Sequence, residues 1–166
     1  MELQKKNFIQ IINANQGIVK SLCKAYYTNY EDQQDAFQDI ILQLWKSFET
    51  FRGDSEVSTW IYRVSLNTLL AKARKERNRI STEPLVADQS MPNAMADDGI
   101  ELLSLVIQTL NGVDKAIIIL YLEGYKNKEI SQILDISPTN VSTRLNRVKT
   151  ELKAKFKNHH YEFKKT

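Results

Sequence analysis

Helical periodicity runs through this chain with one long interruption. The stretch "ISTEPLVADQSMPNAMADDG", from Ile80 to Gly99, holds two of the three prolines and is rich in Ser, Asp, Asn and Ala. It keeps no helical spacing and reads as a linker. A chain interrupted there folds as helical bodies on either side, and no internal repeat makes one side a copy of the other. Five glycines and three prolines in 166 residues leave little turn chemistry for a multi-stranded sheet. A hydrophobic content of 42% suffices for one ordinary core or two small ones. The expected class is therefore all-α: two small helical domains joined by a flexible linker. The expected boundaries are a first domain over 1–79, an acidic linker over 80–99, a second domain over 100–158 and a tail over 159–166.

Before the linker, three or four helices are expected. Residues 5 to about 28 place Phe8, Ile11, Ile12, Ile18, Val19, Leu22 and Tyr26 at helical spacing, with a break expected near Asn15 and Gly17. "DAFQDIILQLWKSF", residues 35–48, sets Phe37, Ile40, Ile41, Leu44, Trp45 and Phe48 at i, i+3, i+4, i+7, i+8 and i+11, a complete amphipathic stripe. Its other face carries Asp35, Gln38, Asp39 and Gln43 and is short of cations. "RGDS" at 52–55 is a turn, and Ser58 or Thr59 can cap the helix that runs to about Arg77. In "STWIYRVSLN", residues 58–67, most of the surface is apolar, yet Arg63 and Asn67 lie one turn apart. That polar stripe is either a solvated edge or a reading surface.

After the linker, short core helices are expected over Ile100–Leu110 and from Asp114 to about Glu123. Gly124 is a suitable stop, because only glycine takes the left-handed conformation at little cost. "NKEISQILDISPTNVSTRLNRVK", residues 127–149, is the most informative segment. Ile130, Ile133 and Leu134 define one helix, and Asp135, Ile136 and Ser137 a turn. Ser137 is a good N-cap, Pro138 falls at the first helical position, and Val141, Leu145, Val148 and Leu152 define a second helix. This is a helix-turn-helix pattern. Small Ser131 permits close approach, with Ile136 and Val141 as the wedge between the helices. Thr139, Asn140, Ser142, Thr143, Asn146 and Arg147 then face outward. Short polar groups near a helix N-terminus with cations further along suit a helix in a major groove. The bland counterpart is a helical hairpin with a polar face. Asp135 stands where such turns usually have glycine, and aspartate tolerates the left-handed region better than most residues.

Charge is unevenly spread. Residues 1–80 hold 12 basic and 9 acidic side chains, 81–98 hold none and 4, and 99–166 hold 11 and 7. Basic density peaks at Lys72, Arg74, Lys75, Arg77 and Arg79, and again at Arg144, Arg147, Lys149, Lys153, Lys155 and Lys157. Taken alone, either run is an ordinary solvated face. The only cysteine, Cys23, can form no internal disulfide and is too few for a thiolate metal site, so a buried free thiol is expected. No apolar run approaches the roughly 20 residues of a membrane span, and a soluble cytoplasmic protein is expected.

Taken in order, "DAFQDIILQLWKSF", "FRGDS", "STWIYRVSLNTLLAKARKER" and "EISQILDISPTNVSTRLNRVKTEL" resemble the extracytoplasmic-function (ECF) sigma factors, a two-domain branch of the sigma-70 family. The resemblance spans about Phe8 to Phe156. It implies a protein that is not an enzyme, needs no cofactor or metal, binds core RNA polymerase and directs it to promoter DNA. Sigma region 2 would dock on the β′ clamp helices through the helix over 35–48, making Asp35, Gln38, Asp39 and Gln43 candidate contacts. It would also recognise and melt the −10 element, with Phe51, Arg52, Asp54, Ser55, Trp60, Arg63, Asn67 and Arg74 as candidates. The "FRGDSEVS" loop would cradle an extruded base. Trp60 serves there by stacking or is simply core. Region 4 would place Pro138 to about Lys149 in the −35 element and touch the β flap. Its candidates are Thr139, Asn140, Ser142, Thr143, Arg144, Asn146, Arg147 and Lys149.

In this family the connector threads the polymerase cleft. Glu83, Asp88, Asp97 and Asp98 are then either mimics of RNA charge or a solvated tether. An anti-sigma partner, often anchored in the inner membrane, is common among relatives, but direct membrane insertion of this chain is not expected. The usual leucine-proline pair is replaced by "LNGVDKA", where Asn111 and Gly112 are expected to loosen the corner. Two other classes stand beside this reading. A plain repressor or activator would use the helix-turn-helix alone. A helical nuclease would need a third metal ligand beside Asp35 and Asp39. The adjacent His159 and His160 read as solvated.

Overall fold

The computed structural model describes residues 2–80 and 98–163, with seven helices and no strand among them. In chain order these are α1 (Glu2–Tyr26), α2 (Tyr30–Phe48), α3 (Val57–Ile80), α4 (Asp98–Gln108), α5 (Gly112–Leu122), α6 (Asn127–Leu134) and α7 (Pro138–Phe163). The first three pack on one another, as do the last four.

No break occurs in α1 at Asn15 or Gly17. Asn15 donates its amide back to the Ile11 carbonyl at 2.9 Å. One helical glycine costs about 1 kcal/mol, whereas burial of Ile12, Val19 and Leu22 returns roughly 1.5–3 kcal/mol each. Cys23 is buried, as expected of a free thiol, and burial pushes its thiol up to about 11. α2 starts at Tyr30 because Asn29 caps it, its side chain accepting from the Glu31 N–H at 2.8 Å, with Glu31 and Asp32 at the positive end of the helix dipole. Its stripe meets α1 through rings: Phe8 lies edge-on to Trp45 at 5.0 Å and to Phe48 at 5.3 Å.

α3 begins one residue ahead of the expected caps, so Ser58 and Thr59 lie in its first turn and do not cap it. Thr59 Oγ1 is instead 3.2 Å from the Tyr125 hydroxyl. The apolar excess of this helix has a simple cause: it is covered from two directions, by α1 and α2 and by α5 and α6. Ile61, Leu66 and Leu69 have no exposed surface.

The two groups of helices therefore touch. Tyr26 donates its hydroxyl to the Gly112 carbonyl at 2.7 Å, Gln108 donates to the Lys24 carbonyl at 3.2 Å, and the Tyr62 and Tyr125 rings meet edge-to-face at 5.7 Å. Buried side chains of both groups form one continuous cluster. Lys115 lies in this seam, its ammonium donating to the Gln108 carbonyl at 3.1 Å and lying 4.9 Å from the Tyr26 ring centre. Burial pushes it down to about 8.

The Asn111–Gly112 corner is tightened where loosening was expected. Asn111 caps α5, accepting from the Asp114 N–H at 3.0 Å, and a Cβ at Gly112 would stand 3.2 Å from a Leu70 methyl. Gly124 ends its helix with φ +93° and Asp135 turns between α6 and α7 with φ 54°. α7 continues through the expected tail as far as Phe163. Glu83, Asp88, Asp97 and the side chains of Asp98, His159 and His160 lie outside the described residues.

Candidate nucleic-acid interface

Between α2 and α3 the chain turns through Gly53 (φ +78°) and forms a concavity of about 210 Å³. Thr50, Phe51, Arg52, Asp54, Ser55, Trp60 and Arg63 line it, which gathers six of the eight −10 candidates. Phe51 stacks on Trp60, ring centres 4.8 Å apart and planes 24° apart. Trp60 is only 6% exposed, so it serves as core and as the support beneath Phe51. Asn67 and Arg74 are exposed on the same stripe of α3 as Arg63, beyond the cavity. Among the described residues no carboxylate pairs with Arg52, Arg63 or Arg74.

On α7, Ser137 accepts from the Asn140 N–H at 3.1 Å, the expected cap. Thr139, Asn140, Thr143, Asn146 and Arg147 are exposed. Ser142 is half-buried and accepts from the Asn127 amide at 3.0 Å, tying the start of α6 to α7. The Lys149 ammonium lies 3.9 Å from the Tyr121 ring centre.

Both arginines converge on a residue the sequence did not single out. Arg144 Nη1 donates to Asp114 Oδ1 at 2.9 Å, and Arg147 Nη2 to Oδ2 at 2.7 Å. The Asn111 amide also donates to Oδ2. The Asp114 side chain is 5% exposed. Burial alone would raise its carboxyl, but the donors from Arg144, Arg147 and Asn111 outweigh it and hold the group below the usual carboxylate range. No local signal marks this residue, since its arginines lie 30 and 33 positions away.

The polar face of α2 leaves Asp35, Gln38, Asp39 and Gln43 exposed, with Asp39 paired to Lys72 at 2.9 Å. Gln38 also borders an apolar groove between α1 and α2, where Ile9 and Leu42 are each about half exposed. Among the described residues no group of His, Cys, Asp and Glu could hold a metal ion, and no helix is long and apolar enough to cross a membrane.

Two family models match the chain, one described as Sigma-70 region 2 over residues 11–79 and one as Sigma-70, region 4 over 100–152. The ECF RNA polymerase sigma-E factor of Haemophilus influenzae is 25% identical over 169 positions, covering 91% of this chain and 88% of that protein. The factor of the same name in Escherichia coli is 27% identical over 163 positions, covering 87% and 84%. The sigma factor RpoE of Bartonella quintana, solved with the anti-sigma factor NepR, superposes with a TM-score of 0.71 at 14% identity over 95% of this chain and 98% of that one. CnrH, solved with the cytosolic domain of CnrY, gives 0.62 at 17% identity over 93% and 90%. At these identities the solved structures speak for the fold alone.

Proposed function

The chain belongs to the ECF branch of the sigma-70 family, and from that premise we propose how its residues divide the work of a sigma factor. It directs RNA polymerase to promoters and is not an enzyme. In our reading the polar face of α2, with Asp35, Gln38, Asp39 and Gln43, docks on the β′ clamp helices of the core polymerase. The 51–55 loop, Trp60, Arg63, Asn67 and Arg74 hold the melted −10 strand. α7 enters the −35 major groove with Thr139, Asn140, Thr143, Asn146 and Arg147 foremost, and Ser142, Arg144 and Lys149 in support. The second group of helices also touches the β flap. The boundaries at 79 and 99 separate these tasks, whereas the one expected at 158 falls inside α7.

The observation that carries the reading is the concavity beside arginines with no carboxylate partner among the described residues. Extruding a base costs a few kcal/mol, and a lone polar helix has little to offset that. A pocket, an aromatic ring at its wall and cations for the backbone supply the missing attraction. The sigma factor RpoE of Bartonella quintana was solved with the anti-sigma factor NepR, and we assign this chain a partner of the same kind and a cytoplasmic place of action. Run-off transcription with core polymerase tests the assignment: Asn67→Ala is expected to lower promoter melting while core affinity stays unchanged. Equal loss of both, or of neither, overturns it. A free-standing repressor would not co-elute with core polymerase in gel filtration.

A further inference from the structure

The Asp114 cluster reaches the surface of α7 at two points, Arg147, whose side chain is 61% exposed, and Arg144. Arg144 bonds inward to Asp114 and, through Nε, outward to Asn140 Oδ1 at 2.8 Å. Arg144 is 31% exposed, between a carboxylate at 5% and an exposed Asn140. Asn140 and Arg144 lie one turn apart on α7, so their side chains meet naturally.

We propose that Asp114 sets the base preference of the recognition helix through this relay, fixing the Asn140 amide with its oxygen turned to Arg144 and its NH2 group left for DNA. The inference rests on the reading that α7 occupies a major groove. An arginine has five N–H groups and no acceptor, so the amide of Asn140 can meet it only through oxygen. The two amide N–H groups remain for DNA. An asparagine reads adenine by accepting from N6 while donating to N7, which needs both ends of the amide. Here the oxygen is held toward Arg144, which takes one of its two lone pairs, so accepting from adenine N6 as well means sharing that oxygen with a cation's N–H. Guanine presents two acceptors, N7 and O6, on its major-groove edge, and it is the base favoured by an amide that leads with its NH2 end.

Asp114 is thus a positioning residue that never touches DNA. Its carboxylate holds Arg144 in the orientation that aims Nε at Asn140, and Asn111 and Arg147 hold the carboxylate in turn. Without that anchor the guanidinium is free to swing to a phosphate, and the amide of Asn140 is free to turn over.

The test is selection of random-sequence promoter duplexes by holoenzyme assembled from core polymerase and the full chain, read by sequencing. The wild type is expected to favour guanine over adenine about tenfold at one position of the upstream element, and Asn140→Ala to flatten that position alone. Asp114→Asn and Arg144→Ala are each expected to bring adenine to parity with guanine there; Arg144→Ala, which leaves Arg147 on Asp114, keeps the base preferences of the other positions, and Asp114→Asn alters besides it only the position that Arg147 meets. A merely structural role for Asp114 would weaken every position together. Should Asp114→Asn fail to fold, Arg144→Ala still decides, because it leaves Asp114 paired with Arg147. Loss of guanine preference in Asn140→Ala but not in the other two overturns the relay and leaves the groove reading standing. If Asn140→Ala, Thr143→Ala and Asn146→Ala all select as wild type does, the groove reading fails and the relay with it.

Discussion

α3 and α7 carry the two candidate DNA surfaces, and they are built in opposite ways. α3 is enclosed by neighbours from both groups of helices and leaves a narrow stripe free, with Arg63, Asn67 and Arg74 on it. α7 buries one line of residues, Val141, Leu145, Val148 and Leu152, and presents Thr139, Asn140, Thr143, Asn146 and Arg147 on an exposed face. Enclosure from several sides is what makes a concavity possible, because its walls must come from different elements. A protruding helix with one buried seam is the shape that enters a duplex groove. The charges follow the same division. The arginines beside the concavity have no carboxylate partner among the described residues, whereas Arg144 and Arg147 share one.

The largest expected difference lies in packing. Leu66→Ala removes a fully enclosed side chain from the middle of α3, and Leu152→Ala one that is 9% exposed on α7. Urea unfolding is expected to lose about 4 kcal/mol in the first variant and about 2 kcal/mol in the second. Equal losses would mean that α3 is no better enclosed than α7.

Next comes the concavity itself. Phe51→Ala removes the ring stacked on Trp60 and is expected to weaken the hold on an unstacked base by about 1–2 kcal/mol, a roughly tenfold drop in permanganate-reactive thymines at the melted element. Binding of the upstream duplex is expected to stay as in the wild type, since no atom of α7 is involved. A matching loss upstream would break the division between the surfaces.

A smaller contrast is acid sensitivity. The carboxyl of Asp114 is held below its ordinary value in the folded state, so the stability it contributes is complete above the unfolded value near 3.8 and is lost as pH falls through the lower folded value. Unfolding followed from pH 5 down to pH 2 is expected to steepen below about pH 4 in the wild type and to be flatter in Asp114→Asn. An identical acid limb in both proteins would remove the ion cluster from the account of α7.

What was legible in the sequence was local. The apolar stripe of α2 needs only residues within three turns, and the cap, proline and left-handed aspartate of the α6–α7 turn lie within four positions of one another. The loop cavity was reached through resemblance, since nothing in "FRGDS" alone predicts a hollow. Tertiary terms decided the rest. Gly17 did not break α1 because a buried stripe on both sides outweighs one glycine. Thr59 was expected as a cap but faces Tyr125, 66 positions away. Asp114 looked like an ordinary helix start, because the arginines that define it belong to another helix.

The corner before α5 supplies the smallest effect and the most local contest of terms. Gly112 sits at the first position of α5, its carbonyl accepting from Tyr26 and its Cα facing Leu70 of α3. Gly112→Ala narrows the unfolded ensemble, a gain of about 0.4–1 kcal/mol, but its methyl would stand 3.2 Å from a Leu70 methyl, which must yield by a few tenths of an ångström. Leu70 is held by the same enclosure that distinguishes α3, so the clash is expected to cancel the gain and leave stability within about 0.5 kcal/mol of the wild type. Leu70→Val, which shortens that side chain, is expected to let the alanine's gain through. A thermal-melt cycle of the four proteins measures this as a coupling between the residues, and zero coupling would mean that α3 can give way where α5 presses on it.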